Sequence, residues 1–142
     1  MKNDQRFFKL KYKIWLESTG KAFGKGPCEI LNRVERLGSL KGATEEMSMS
    51  YSHAWKLIKG LEQRLGFKLL QFQVGGEAGG GASLTPEARE LIKRYQSFMR
   101  EAEELLDELY EKHFNDFFFI TALYSSKHND CQLLLCKGDQ MC

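Results

Sequence analysis

A run of hydrogen-bonding side chains begins at position 50, and its chemistry suits contact with a nucleic acid. The run supplies hydroxyls, an imidazole, aromatic rings and a cation, from Ser50, Tyr51, Ser52, His53, Trp55 and Lys56. Presented at the start of a helix, such groups can reach base edges in the major groove of DNA. Lys56 and Lys59 fall on the polar side, where they can meet phosphates. Two roles stay open, because Trp55 also suits a hydrophobic core and Ser50 also suits a helix cap.

An apolar stripe predicts the helix that positions this run. Its members recur at helical spacing, at Ala54, Ile58, Leu61 and Leu65. Ser50 is a preferred capping residue before the stripe, and Gly66 is a typical residue just after a helix end. We therefore predict a recognition helix from about Ser50 to Leu65.

Two shorter helices are predicted before it. Pro27 suits the first turn of a helix that ends at Gly38, with apolar residues at helical spacing between them. Ser39 can cap a second helix from Leu40 to Met47, and we count Ser39 among the candidate DNA-binding residues. Three helices joined by turns of a few residues predict a helix-turn-helix.

Two short strands around a glycine-rich loop are predicted after the three helices. The strands cover residues 67–74 and 82–84, and the loop between them contains Gly76, Gly79 and Gly80. Such a strand pair would form a wing beside the helix-turn-helix. The three glycines therefore join the candidate DNA-binding residues.

The N-terminal segment alternates between apolar and basic residues. The apolar positions of residues 7–17 face one way and the lysines face the other, at Lys9, Lys11 and Lys13. This period predicts a half-buried strand, and the turn residues after it predict a hairpin that returns through Ala22 and Phe23. Two roles stay open for the lysines: contact with phosphates, or protection of a strand edge against pairing with another chain.

A long helix is predicted from Pro86 to about His113, with Thr85 as its cap. Apolar residues on it step by four and three, as in a coiled-coil seam, at Leu91, Tyr95, Phe98, Ala102, Leu105 and Leu109. A second apolar row runs beside this seam. We expect the helix to pack against its own domain and against a second copy of the chain; burial of the whole stripe within one monomer is the alternative.

The sequence predicts one domain and one extension. Residues 1–114 form the predicted winged domain, which includes the dimerisation helix 86–113, and residues 115–142 form an extension of unassigned structure. The extension begins with strand-like residues from Asp116 to Ile120. An extra strand pair and a poorly ordered appendage both stay open for it.

Length and charge set limits on the class of protein. The 142 residues are 42% hydrophobic and 28% charged, as in one ordinary soluble domain. Residues 1–70 carry 14 Lys and Arg against 7 Asp and Glu, whereas residues 71–142 carry 7 against 12. The basic half suits a polyanionic partner, although chance clustering of charges stays open. We find no leader pattern, bilayer-length apolar run or disulfide framework, so we expect a cytoplasmic protein without membrane contact.

Other chemistries find little support in the motifs. The glycine runs lack the spacing of a phosphate-binding loop. A loose group of sulfur and nitrogen ligands occurs near the end, at His128, Cys131, Cys136 and Cys142. A zinc site and an inert tail both stay open for that group. No nucleophile, base and orienting residue can be assembled from the spacing, so we predict neither an enzyme nor a cofactor.

Three segments together resemble the DNA-binding domain of the molybdenum-dependent regulators, the ModE family. They are Gly38-Ser39-Leu40, the stretch from Ser48 to Trp55, and the glycine-rich stretch from Gly75 to Thr85. The pattern Ile58-x-x-Leu61-Glu62-x-x-Leu65-Gly66-x-x-Leu69 is similar to the more distant LysR-type regulators.

The resemblance covers about residues 8–114 and implies a winged helix-turn-helix that dimerises through the long helix and binds a palindromic operator. Nothing in residues 115–142 resembles the molybdate-binding motif of that family. The resemblance therefore implies a regulator that lacks the molybdate-binding domain and whose effector is unknown.

We therefore predict a mainly α fold with a small β component: a winged helix-turn-helix with an N-terminal hairpin and a long C-terminal dimerisation helix. The predicted function is a homodimeric regulator of transcription that binds double-stranded DNA sequence-specifically. The alternative is a winged-helix protein-interaction module without DNA binding. The acidic second half of the chain and Glu77 in the predicted wing motivate that alternative.

Overall fold

The computed structural model describes residues 8–74 and 80–136, with side chains as far as residue 127. Its contacts divide these residues into two units. One unit comprises residues 13–100, and the other comprises residues 8–12 together with residues 101–136. The fold is mainly α-helical with two small antiparallel hairpins, as the sequence predicts.

The first unit opens with a hairpin of strands β1 (Leu16–Glu17) and β2 (Lys21–Phe23). The predicted return through Ala22 and Phe23 is confirmed, but the prediction of a strand over residues 7–17 is wrong for most of its length. No described strand pairs with residues 8–15, and the side chains at the apolar positions Phe8, Leu10, Tyr12 and Leu16 are exposed. The reason is that β2 offers only three residues before a helix begins, so the hydrogen-bonded ladder ends there.

Three helices follow, and they correspond to the predicted helix-turn-helix. They are α1 (Lys25–Leu37), α2 (Leu40–Glu46) and α3 (Tyr51–Leu65). The predicted ends of α1 and α3 are confirmed, because Gly38 and Gly66 adopt positive φ angles of 67° and 81° and close the last turns. A residue with a Cβ atom is strained at such angles, which is why glycine is preferred after a helix.

The wing is a hairpin of strands β3 (Leu70–Phe72) and β4 (Ala82–Leu84). Leu70 pairs with Leu84 and Phe72 pairs with Ala82. The first strand is shorter than the predicted 67–74, because only three residues of β4 are available to pair with it.

A single hydrophobic core unites the helices and the wing. Its side chains come from β2, the three helices, both wing strands and the helix that follows, and the largest fully buried ones are Phe23, Ile30, Leu31, Leu40, Ile58, Leu61, Leu69 and Val34. Every buried side-chain nitrogen or oxygen in the described residues has a hydrogen-bond partner. The unit therefore holds its elements by packing and leaves no buried polar group to destabilise it.

The long helix α4 (Pro86–Tyr110) begins as predicted. The Thr85 hydroxyl accepts a hydrogen bond from the Ala88 N–H at 3.1 Å, which confirms the predicted cap. A five-residue π-helix, Glu111–Asn115, continues the chain directly into helix α5 (Asp116–Cys136).

The strand-like interpretation of residues 116–120 is therefore wrong. Neither glycine nor proline occurs between Pro86 and Gly138, so no residue in this stretch stops the helix. Aromatic residues raise strand propensity, but propensity is a weak preference when a preceding helix has already been nucleated.

The second unit contains the end of α4, the π-helix and α5. The Tyr110 hydroxyl donates to the Phe8 carbonyl at 2.9 Å, and the Phe8 and Phe118 rings lie 4.4 Å apart. Large apolar side chains remain exposed along it, among them Phe114, Phe117, Phe119, Ile120 and Leu123. None of the helices within the described residues has the length and apolar character needed to cross a membrane.

Candidate nucleic-acid interface

The start of α3 presents the predicted polar run to solvent. Ser50 precedes the helix, and its Oγ accepts a hydrogen bond from the His53 N–H at 3.1 Å, which confirms the capping role. Four side chains of the first turns are exposed: Tyr51, Ser52, His53 and Lys56. The opposite face is buried through Ala54, Ile58 and Leu61, so the core fixes which face of the helix is free.

A groove lies beside this exposed run. It has a volume of about 330 Å³ and is lined by Ser39, Leu40, Lys41, Tyr51, Phe72, Gly80 and Ala82. These residues belong to the starts of α2 and α3 and to the wing. Ser39 caps α2, since its Oγ accepts from the Gly42 N–H at 3.1 Å. The groove thus joins three predicted residues, Ser39, Tyr51 and Gly80, that are far apart in the sequence.

Trp55 lies between the recognition helix and the wing. Its ring is half-buried, stacked on Tyr51 with centroids 6.3 Å apart and tilted against Phe72 with centroids 5.0 Å apart. We call these three rings the aromatic column. The Lys59 ammonium lies 4.5 Å from the centroid of the Trp55 ring, within cation–π range.

Glu62 anchors the other half of α3 to the wing. Its side chain is almost fully buried, and its Oε1 accepts from the backbone N–H of Leu69 at 2.8 Å and of Leu70 at 3.3 Å. Its Oε2 lies 3.1 Å from the Lys59 ammonium and 3.4 Å from that of Lys68. Burial alone would raise the pKa of the Glu62 carboxyl, but the backbone N–H groups and Lys59 outweigh it and hold the pKa below its usual value.

The wing is tied to the helices at its base. The Ala82 N–H donates to the Gly38 carbonyl at 2.9 Å, and the Thr85 hydroxyl donates to the Lys68 carbonyl at 2.6 Å. A Cβ atom at Gly80 would lie only 2.8 Å from the Gln73 carbonyl oxygen, so the strand pair requires glycine there. Gly80 therefore has a structural reason to be glycine besides any contact with DNA.

Other predicted residues lie elsewhere or outside the described part. Gly76 and Gly79 fall outside the described residues, as does Cys142. The same holds for the side chains of the other metal-ligand candidates, His128, Cys131 and Cys136. Along the predicted dimerisation seam, Phe98, Leu105 and Leu109 are at least half exposed, and Leu91 and Ala102 are intermediate. Tyr95 is buried, with its hydroxyl donating to the Ile14 carbonyl at 3.0 Å.

Three residues of the candidate interface were not predicted from the sequence: Lys41, Phe72 and Glu62. Lys41 is exposed in the first turn of α2, and the tendency of that helix to cross the DNA backbone is a signal that points to it. Phe72 belongs to the wing strand that faces Trp55. Glu62 is part of the LysR-type sequence pattern, but its anchoring role does not follow from that pattern, because its partners Leu69 and Leu70 follow a turn whose geometry the sequence does not specify.

Known proteins match the part of the chain that contains this helix-turn-helix. Residues 28–89 match the family model described as bacterial regulatory helix-turn-helix protein, lysR family. The molybdenum-pterin-binding protein MopB of Rhodobacter capsulatus is 34% identical over 102 residues, which are 72% of this chain and 37% of MopB. The molybdenum transport protein ModE of Azotobacter vinelandii is 30% identical over 93 residues, which are 66% of this chain and 34% of that protein.

The chain thus spans little more than a third of the length of these two curated relatives. The crystal structure of ArgP from Mycobacterium tuberculosis is similar over 60% of this chain and 30% of ArgP, with 24% identity and a TM-score of 0.44. The resemblance predicted from the helix-turn-helix and wing residues is confirmed by the sequence matches. Residues 28–89 thus match a LysR-type helix-turn-helix domain, and the chain is similar to ModE-type proteins over the part that aligns with them.

Proposed function

We propose that this chain is a DNA-binding regulator of transcription whose helix α3 contacts bases in the major groove. The observation that carries the proposal is the division of α3 into two faces: one is buried in the core, and the other exposes Tyr51, Ser52, His53 and Lys56. A recognition helix makes its base contacts with residues near its N-terminus, where this polar run lies. Two further relatives, in Haemophilus influenzae and Escherichia coli, carry names that describe them as transcriptional regulators, and these names support the same function.

Phosphate contacts complete the proposed interface. Lys56 on α3 and Lys41 on α2 are exposed, and Lys41 lines the groove, so both cations can neutralise the DNA backbone. Ser39 and Gly80 line the same groove and add a hydroxyl and a backbone amide. The hydroxyl, imidazole and amide groups can contact base edges or orient the protein on the duplex. The two cations can neutralise phosphate charge.

We further propose that the chain acts as a homodimer through α4. With Ala102, three apolar residues of α4 follow one another at intervals of four, three and four: Phe98, Leu105 and Leu109. These three side chains are at least half exposed. Exposed apolar residues at that spacing are typical of a helix seam that packs against a second helix. A two-fold dimer predicts a palindromic operator with half-sites about 34 Å apart, or a multiple of that distance.

The experiment that tests sequence-specific binding is selection of duplexes from a randomised library by the full chain. The expected result is an enriched inverted repeat, bound with an affinity that falls as salt is raised. A protein-interaction module without DNA binding would enrich no sequence and would show no salt-dependent binding. Either of those results would overturn the proposed function.

Dimerisation is tested separately by sedimentation. Leu105→Glu combined with Leu109→Glu places two charges on the seam, and we expect the mass to fall from dimer to monomer. Glu104→Gln, on the same helix outside the seam, is the control and should leave the mass unchanged. A wild-type chain that sediments as a monomer at the concentrations used for DNA binding would contradict this part of the proposal.

A further inference from the structure

Two lysines on α3 lie three residues apart and have different surroundings. Lys56 is exposed and makes no ion pair with any residue that the structure describes. The Lys59 side chain is only 34% exposed, and its ammonium lies 3.1 Å from Glu62 Oε2. The same ammonium lies over the Trp55 ring at 4.5 Å and near the Phe72 ring at 5.9 Å. The two cations therefore cannot be equally free to meet a phosphate.

We propose that Lys59 is a positioning residue that fixes the wing against the recognition helix, and that Lys56 rather than Lys59 is the phosphate contact. This inference rests on the proposed DNA-binding function. Lys59 contacts the wing in two ways. Its ammonium lies against the Trp55 and Phe72 rings of the aromatic column, and it donates to the Glu62 carboxylate, which is bonded to the wing.

The chemistry of the site explains why a cation is needed at this position. Glu62 Oε1 is occupied by the N–H groups of Leu69 and Leu70, at the start of β3. A buried carboxylate also needs a partner for its second oxygen, which Lys59 supplies with Lys68. Lys68 is 70% exposed, so its pair with Glu62 is the more screened of the two.

The position of Lys59 also opposes a role in phosphate binding. To reach a phosphate, its ammonium would have to leave both Glu62 and the Trp55 ring. Among the residues that the structure describes, the buried carboxylate would then keep Lys68 and the two backbone donors. Because that exchange loses a charge-assisted hydrogen bond inside the protein, the bound state gains little from it.

The first test uses the protein without DNA. Lys59→Met removes the charge and keeps the apolar stem, and Lys56→Met is the matched control three residues earlier. We expect Lys59→Met to shift the amide resonances of Leu69 and Leu70, to speed their hydrogen exchange and to raise the pKa of Glu62. Lys56→Met should leave the amide shifts, the hydrogen exchange and the pKa of Glu62 as in wild type. Lys59→Arg, which keeps both contacts with the wing, should also give values close to wild type. If the methionine variant does not fold, Lys59→Gln replaces it in both tests.

The second test measures binding to a duplex over a series of salt concentrations. Lys56→Met should weaken binding and reduce the slope of log K against log salt by about 0.9, the value for one phosphate contact. Lys59→Met should leave the slope unchanged, because it removes an attachment of the wing and no phosphate contact. A slope reduced by Lys59→Met as much as by Lys56→Met, or unperturbed Leu69 and Leu70 amides, would overturn the inference.

The two tests separate this inference from the proposed function. If the wild-type chain binds no duplex, the proposed function fails, but the amides of Leu69 and Leu70 still decide whether Lys59 holds the wing. If the wild-type chain binds and those amides do not respond to Lys59→Met, the positioning role fails and DNA binding stands.

Discussion

The two halves of α3 differ in how they are held. In the first half, the contacts of Ser50 and Tyr51 are local: Ser50 caps the His53 N–H, and Tyr51 stacks on Trp55. The second half bonds to distant parts of the chain, with Glu62 on Leu69 and Arg64 on the Lys21 carbonyl at 2.9 Å. We call the half of α3 that begins at Tyr51 the free end, because it is available to a ligand. We call the half that ends at Leu65 the anchored end, because it fixes the direction of the helix.

A short helix can present polar groups with a defined orientation when one of its halves is fixed to the rest of the domain. Exposed side chains at the free end need to break few intramolecular contacts in order to meet a ligand. The anchored end supplies the rigidity through buried apolar contacts and a satisfied carboxylate. Substitutions in the anchored end should therefore change stability, and substitutions in the free end should change binding.

The largest expected effect is the loss of core packing under the anchored end. Ile58 is fully buried, so Ile58→Ala should lower the free energy of unfolding by about 2–5 kcal/mol. Urea denaturation followed by circular dichroism measures this, with Gln63→Ala, an exposed position in the same half, as the control. A loss as small as that of the control would show that the core does not hold α3.

The next effect concerns the charge of Glu62. Glu62→Gln should cost about 2–3 kcal/mol at neutral pH, because Lys59 loses its partner and the backbone donors lose a charged acceptor. The folded pKa of Glu62 lies below its unfolded value, so its contribution to stability is present above the unfolded pKa and is lost as pH falls through the folded pKa. The gap in unfolding free energy between wild type and Glu62→Gln should therefore narrow as the pH is lowered.

The test is to measure the free energy of unfolding of wild type and Glu62→Gln from neutral pH down to about pH 3. A gap that stays constant with pH would contradict a role for the ionised carboxylate. Glu45→Gln, an exposed carboxylate on α2, is the control, and it should leave both the stability and its pH dependence close to wild type.

A smaller effect is expected at the boundary between the free end and the preceding turn. Ser50→Ala removes the side-chain acceptor for the His53 N–H and should lower the free energy of unfolding by about 1 kcal/mol. Ser52→Ala, two residues later and exposed, should stay within about 0.5 kcal/mol of wild type. Equal losses from the two alanines, measured by thermal unfolding, would argue that the cap does not stabilise the free end.

The smallest effect on stability is expected at Lys41, which extends the free surface to α2. Lys41→Gln should change the free energy of unfolding by less than about 0.5 kcal/mol, because the side chain is exposed. It should nevertheless reduce the salt dependence of DNA binding by about one phosphate contact. Fluorescence anisotropy with a labelled duplex measures this, and an unchanged salt slope would remove Lys41 from the interface.

The extent of α3 could be predicted from the sequence because its determinants are local. A capping serine and a closing glycine flank an apolar stripe, and the structure confirms α3 from Tyr51 to Leu65. The caps of α2 and α4 at Ser39 and Thr85 were predictable for the same reason.

The anchored end could not be predicted to the same depth. The position of Glu62 against Leu69 depends on a turn, and the proximity of Lys59 to Phe72 depends on how the wing packs. The pattern also gave wrong predictions at residues 8–15, which pair with no strand that the structure describes, and at residues 116–120, where no residue stops the helix. In each of these places tertiary context, rather than local preference, decides the structure.

Contact between α3 and DNA is tested by titrating a labelled duplex with wild type, Lys56→Glu and Lys93→Glu at several salt concentrations. Lys93 is exposed on α4 and provides the same change of charge away from the free end of α3. We predict salt-dependent binding by wild type and by Lys93→Glu, and its loss in Lys56→Glu. The absence of salt-dependent binding by the wild-type chain, or equal binding by the two glutamate variants, would contradict the assignment of α3 as the DNA-contacting helix.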